Sequence, residues 1–170
     1  MKYLLPALAL FACSPFVSET PASAHEFAAA TVKIDHPWAR PTVTTRQPAA
    51  VFFHLENTGD ADDRLVSAEI DPSIATGAEL HTTLNDEGTF RMRPLTTGIV
   101  VPAGSEVAVQ PGGHHLMLFN LTAPLELGQR FPVVLVFEKA GRVEVEVVVE
   151  TPVDADSAPV EAANHDGHGS

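Results

Sequence analysis

"RFPVVLVFEKAGRVEVEVVVE", residues 130–150, decides the fold. Its first half is a run of β-branched and aromatic residues, and its second half alternates valine with arginine and glutamate. Lys139-Ala140-Gly141 lies between them as a turn signal. An apolar residue at every second position is the period of a half-buried strand and cannot form the apolar stripe of a helix. The same pattern continues toward the N-terminus in "HHLMLFNL", "SEVAVQ", "TFRMRPL", "GAELHTTL", "RLVSAEI", "AAVFFHLEN" and "TVKI". The turn signals "APLELG", "PGG", "PAG", "NDEG" and "NTGDADD" separate these runs. From Thr31 to about Glu150 no segment holds a 3.6-residue apolar period. The chain reads as all-β, a single domain over residues 25–151 with enough strands to close a two-sheet sandwich or a barrel.

A length of 170 residues suits one core. The net charge of −12 and the 6% aromatic content argue against a nucleic-acid surface, which needs clustered Lys and Arg and stacking rings. The first 24 residues carry a Lys, a short apolar run through Phe11 and then Ala22-Ser23-Ala24. That layout predicts a cleaved secretory signal, too short to span a bilayer, and hence a periplasmic protein. In a competing reading Cys13 of "LFAC" is a lipid attachment site, a pattern that Phe11 fits poorly. With cleavage after Ala24 the mature chain has no thiol, which excludes disulfides and thiolate sites. Residues 152–170 lose the alternation and read as a disordered acidic tail carrying His165 and His168.

The chemistry-bearing residues lie on one strand and one hairpin. Along "HHLML", His115 and Met117 share one face while His114, Leu116 and Leu118 take the other. In "GAELHTTLNDEGTFRMRPL" a turn centred on Asp86 and Glu87 would set Leu84 opposite Thr89, Thr82 opposite Arg91 and His81 opposite Met92. Apart from Met1, the chain's two methionines are thus each placed beside a histidine. Two imidazoles with two thioethers suit Cu(I), whereas calcium, magnesium and manganese prefer oxygen donors. A blue-copper centre is excluded because it needs a cysteine ligand. His81, Met92, His115 and Met117 are therefore the candidate metal ligands.

These residues, with "PWARPT", "AAVFFHLENTGDADDRLVSA", "AELHTT", "MRPL", "VPAGSEVAVQPGGHHLML" and "LVFEKAGRVEVEV", resemble the periplasmic PCuAC copper chaperones over roughly residues 31–150. The resemblance implies a cupredoxin-like Greek-key β-sandwich that binds Cu(I) through a His, Met, His-x-Met set. Ten residues separate His81 from Met92, as in that family, while the span from Met92 to His115 is one longer, an insertion placed in "LTTGIV". It further implies a carrier, without enzymatic activity, that passes copper to a receiving protein, a cytochrome c oxidase subunit or its assembly factor. His-rich extensions in relatives bind Cu(II), a role that His165 and His168 would fill here.

Two other readings remain open. Cleavage after Ala24 would leave His25 as an N-terminal Cu(II) chelator, as in CopC-like carriers or copper oxygenases, with His36 and His54 as available second ligands. A copper-free β-sandwich assembly module would leave the His/Met pairing a coincidence. Hydrolysis has no support: there is no G-x-S-x-G elbow, no H-E-x-x-H and no P-loop. "NLT" at Asn120 matches a glycosylation sequon and is read as part of a strand.

Overall fold

The computed structural model describes residues 26–29, 31–86 and 88–151. The expected signal with Cys13, the N-terminal His25, and the tail with His165 and His168 lie outside the described residues. Eleven strands and no helix occur among the described residues: β1 Glu26–Ala29, β2 Val32–Ala39, β3 Ala49–Asn57, β4 Asp63–Ile70, β5 Ala75–Asp86, β6 Thr89–Pro94, β7 Ile99–Val101, β8 Glu106–Val109, β9 His114–Leu121, β10 Arg130–Phe137 and β11 Arg142–Val149. Nine of these are the strands expected from the alternation. β1 and β7 are additions, four and three residues long, too short to show a period.

Hydrogen bonding orders the strands β6-β5-β9-β8-β3-β2-β11-β10-β4-β7, with β1 added to β2 and β9 also pairing β3. Neighbours in space come from distant parts of the chain, the mark of Greek-key connections rather than a meander. The path folds back on itself as a β-sandwich over one core, in which Ile34, Phe53, Leu55, Leu65, Leu116, Leu118, Phe131 and Leu135 are all essentially inaccessible to solvent. Each such side chain contributes about 1.5–3 kcal/mol on burial. In β11 Val143, Val145 and Val147 face this core while Arg142, Glu144 and Glu146 face water, as the alternation requires.

Two local devices position the site. In β2, His36 and Pro37 form a bulge between the pairs Asp35–His54 and Trp38–Phe52, with His36 at φ 48°. The bulge shifts the β2–β3 register by one residue, and beyond it Trp38 and Ala39 pair with Phe52 and Val51 of β3 on one side and run parallel to Val148 and Val149 of β11 on the other. His36 Nε2 lies 2.8 Å from Glu150 Oε2 there, and its ring stacks on Trp38. The second device is the turn Gln110–Gly113 that launches β9. The Gly113 N–H donates to the Gln110 carbonyl at 3.0 Å, and Gly112 sits at φ 83°, a conformation that the Cβ of other residues disfavours.

The β5–β6 hairpin departs from expectation. Asp86 pairs with Thr89, Leu84 with Arg91, Thr83 with Met92 and His81 with Pro94, so His81 does not stand opposite Met92. Gly88 lies inside the turn at φ 88°, and its N–H donates to Asn85 Oδ1 at 2.8 Å. A positive φ is cheapest at glycine, so the turn settles nearer Gly88 and the register slips by two residues. A slip of two preserves the faces. Met92 remains on the same side of the sheet as His81.

Candidate metal centre

β9 lies between β5 and β3. His81 of β5 pairs with His115, Glu79 with Met117, and Ala50 of β3 with Met117 from the other side. His81, Thr83, Met92, His115 and Met117 therefore share one face of the sheet, while Leu116 and Leu118 point into the core. Met92, His115 and Met117 line one cleft of about 360 Å³. Its far wall is the segment from Arg40 to Phe52, which includes Gln47, Pro48 and Ala50. That wall is anchored by Thr42, whose N–H donates to the Leu125 carbonyl and whose Oγ1 accepts from the Leu125 N–H. Arg40 lies over the Phe52 ring, 5.6 Å from its centroid.

The state of His115 is set by the backbone. It is buried, with 4% of its surface exposed, and its Nδ1 lies 3.1 Å from the Gly113 carbonyl. A carbonyl only accepts, so Nδ1 carries the proton and Nε2 presents a bare lone pair. That Nε2 is buried without a hydrogen-bond partner. An unmet buried acceptor costs about 1–3 kcal/mol, which a metal ion bound there would recover. The same Gly113 carbonyl accepts from the Thr83 N–H at 3.0 Å, tying the hairpin to the start of β9. His114 has the opposite parity and faces away from the cleft, as expected, and its Nδ1 is also unpartnered.

His81 stands beside this centre without entering the cleft. Its ring centroid is 6.0 Å from that of His115 and 5.8 Å from that of Phe119, and its Nε2 lies 3.2 Å from Glu79 Oε2. Glu79 was not among the expected site residues. It sits two positions before His81 on one strand, so period two already puts both side chains on one face. Among the described residues no three His, Cys, Asp or Glu side chains gather as a metal site. The two thioethers are the other soft donors on this face, Met92 being 64% exposed at the cleft mouth. His36 and His54 do not line the cleft: His36 is engaged with Glu150, and His54 is exposed on β3 opposite Asp35.

Burial pushes the His115 imidazole below its ordinary value near 6.5. The Gly113 carbonyl pulls the other way, and positive charge on His81 or His114 would lower it further. A depressed value in the folded state means that the unfolded chain binds the proton more readily. Fold stability from this group is therefore complete above about pH 6.5 and is lost as pH falls through the depressed value. An NMR titration of the His115 ring is expected to give a midpoint below 6.5; a midpoint at or above it would contradict the buried, neutral imidazole.

The LpqE-like family model, described as "Putative lipoprotein LpqE-like", matches residues 32–149. "Putative lipoprotein Lxx21020" of Leifsonia xyli subsp. xyli is 38% identical over 101 residues, 59% of this chain and 60% of that one. RP573 of Rickettsia prowazekii is 31% identical over 114 residues, 65% of this chain and 62% of that one. The chain thus spans about three-fifths of the length of these curated relatives. Among solved structures, the copper-bound PCuAC domain from PmoF2 is 29% identical with a TM-score of 0.62, covering 75% of this chain and 99% of that domain.

Proposed function

We propose that this chain, which belongs to the LpqE-like family, is a periplasmic copper carrier that holds Cu(I) on His115, Met117, Met92 and His81 and hands it to a receiving protein. The observation that carries this reading is the buried, unpartnered Nε2 of His115 in a cleft shared with both thioethers. The likeness to a copper-bound PCuAC domain supports it. Thioether sulfur and neutral imidazole are donors that Cu(I) accepts readily, and neither is lost to oxidation as a disulfide in an oxidising compartment. His81 would join by leaving Glu79, a contact at the surface that costs little to break. A site at the mouth of a cleft, with one ligand mostly in solvent, suits ligand exchange with a partner better than permanent retention.

His115 would bind first because its lone pair is already free and oriented. Met117, two residues along the same face, would supply the second donor, and Met92 and His81 would close from the hairpin. Such a cage has no open substrate position and fits a carrier rather than a catalyst. The receiver we propose is a cytochrome c oxidase subunit or its assembly factor. His165 and His168 are proposed as auxiliary Cu(II) ligands outside this cage, joined by His25 where the chain is cut after Ala24 and His25 becomes the N-terminus. Both readings of the leader imply export, and the lipoprotein names of the family and of its Leifsonia relative support attachment at Cys13 over release after Ala24. Among the described residues no helix is long and apolar enough to cross a membrane.

Anaerobic titration with Cu(I) against a chromogenic chelator tests this reading. One tight site is expected, with the Met92→Ala/Met117→Ala double variant at least tenfold weaker. If the double variant binds as tightly as the parent, the thioether assignment fails.

A further inference from the structure

We infer that the cleft end of the molecule is a docking face for an acidic protein surface, built from Arg40 and Arg46 on one side and Arg91 and Arg93 on the other. This inference rests on the carrier reading for its purpose, but its evidence is independent of copper. The chain carries a net charge of −12. Away from the cleft its cations are matched to carboxylates: Lys33 to Glu56 at 3.3 Å, Arg64 to Glu138 at 3.5 Å, Arg130 to Glu146 at 2.7 Å and Arg142 to Glu69. Lys139 lies where its charge acts on Asp63. Among the described residues, the four arginines that make no ion pair all fall in the two segments bordering the cleft mouth.

The most exposed of the large apolar side chains among the described residues lie in the same two segments. Val43, between Arg40 and Arg46, is 85% exposed, and Phe90, beside Arg91, is 71% exposed. Arg91 and Arg93 alternate with Met92 and so point to the other face of the hairpin. There the hairpin has run past the core, and every residue of β6 is exposed. β6 also ends the order of paired strands. Arginine, aromatic and methionine side chains are the types enriched at the centres of protein interfaces. Residues 40–48 and 89–94 hold these four arginines and no carboxylate; with Glu79, Asp86 and Glu87 of the adjoining sequence counted in, a small positive excess remains in an otherwise acidic protein, which would orient an acidic partner where cargo leaves.

An anionic membrane is the weaker match, because the remaining surface is strongly negative and four arginines are at the lower limit of a lipid-binding cluster. The occupant is therefore a protein whose receiving site has a carboxylate rim.

The test uses the full-length apo protein and poly-L-glutamate as the probe, followed by amide NMR at low salt. Shifts confined to residues 40–48 and 89–94 are expected, with affinity falling more than tenfold between about 10 and 150 mM salt and more than tenfold in Arg46→Glu/Arg91→Glu/Arg93→Glu. The triple variant should titrate Cu(I) like the parent, so a failed carrier reading and a failed docking face give different results. Shifts spread over the molecule, or unchanged binding by the triple variant, would overturn the inference. So would tighter binding to phosphatidylglycerol vesicles than to polyglutamate, a dimer in gel filtration that the triple variant abolishes, or movement of the same amide signals on deletion of residues 152–170.

Discussion

Replacing His115 by leucine is expected to abolish tight Cu(I) binding without destabilising the apo protein. The affinity loss should exceed about a hundredfold, since even removing a residue that only supports a ligand costs ten- to a hundredfold. The stability result separates this site from an ordinary buried polar residue. Most buried polar side chains are satisfied, and truncating them costs stability. His115 keeps Nε2 buried and unpartnered, so the fold already bears that cost. Leucine removes it, fills much of the same space and gives up only the bond from Nδ1 to the Gly113 carbonyl, which retains the Thr83 N–H. Thermal unfolding of His115→Leu should occur at the parental temperature or above it. A drop of more than a few degrees would mean that His115 is there for the fold.

Asp63 should show the reverse behaviour, a large loss of stability with the copper site intact. This aspartate at the start of β4 is 4% exposed, and its carboxylate accepts N–H bonds from Arg64 at 2.7 Å, Lys139 at 2.9 Å and Ala140 at 2.9 Å. It thereby clamps the β10–β11 turn onto the neighbouring strand. Burial alone would raise its pKa; the three N–H donors, helped by the Lys139 charge, outweigh that and hold it below the usual aspartate value. Its contribution to stability is therefore present above about pH 4 and is lost as pH falls through the lowered value. Asp63→Ala strands several backbone donors and is expected to cost about 2–4 kcal/mol. Its stability should also fall less steeply than the parent's below pH 4. Chemical denaturation across that range measures both, while an unchanged Cu(I) stoichiometry would show the site to be independent of this clamp.

The parts of the fold governed by period two were legible in the sequence. The alternation in residues 142–147 set the faces of β11, and the same parity put His115 and Met117 together and sent His114 away. The expected partner of His81 was wrong because the register of a hairpin is set by its turn, and Gly88 draws that turn toward itself. The faces nonetheless survived, because the slip was an even number of residues. The short β7 was not legible: Ile99–Val101 offers too few positions for a period, and its strand character comes from pairing with Asp63–Leu65 of β4. The far wall of the cleft was not legible at all. Arg40, Pro48 and Phe52 reach Met92 and His115 only through the pairing of β3 with β9 and the anchoring of Thr42 to Leu125. Glu79 shares the face of His81 by the same parity, but a carboxylate is a hard donor and falls outside a set chosen for Cu(I).

Copper K-edge absorption of the Cu(I)-loaded protein reads the ligand shell itself. A mixed shell of nitrogen and sulfur scatterers is expected, with the sulfur contribution lost in Met92→Ala/Met117→Ala and the nitrogen contribution reduced in His115→Leu. A shell of nitrogen and oxygen alone, unchanged by removal of both methionines, would contradict the His/Met assignment.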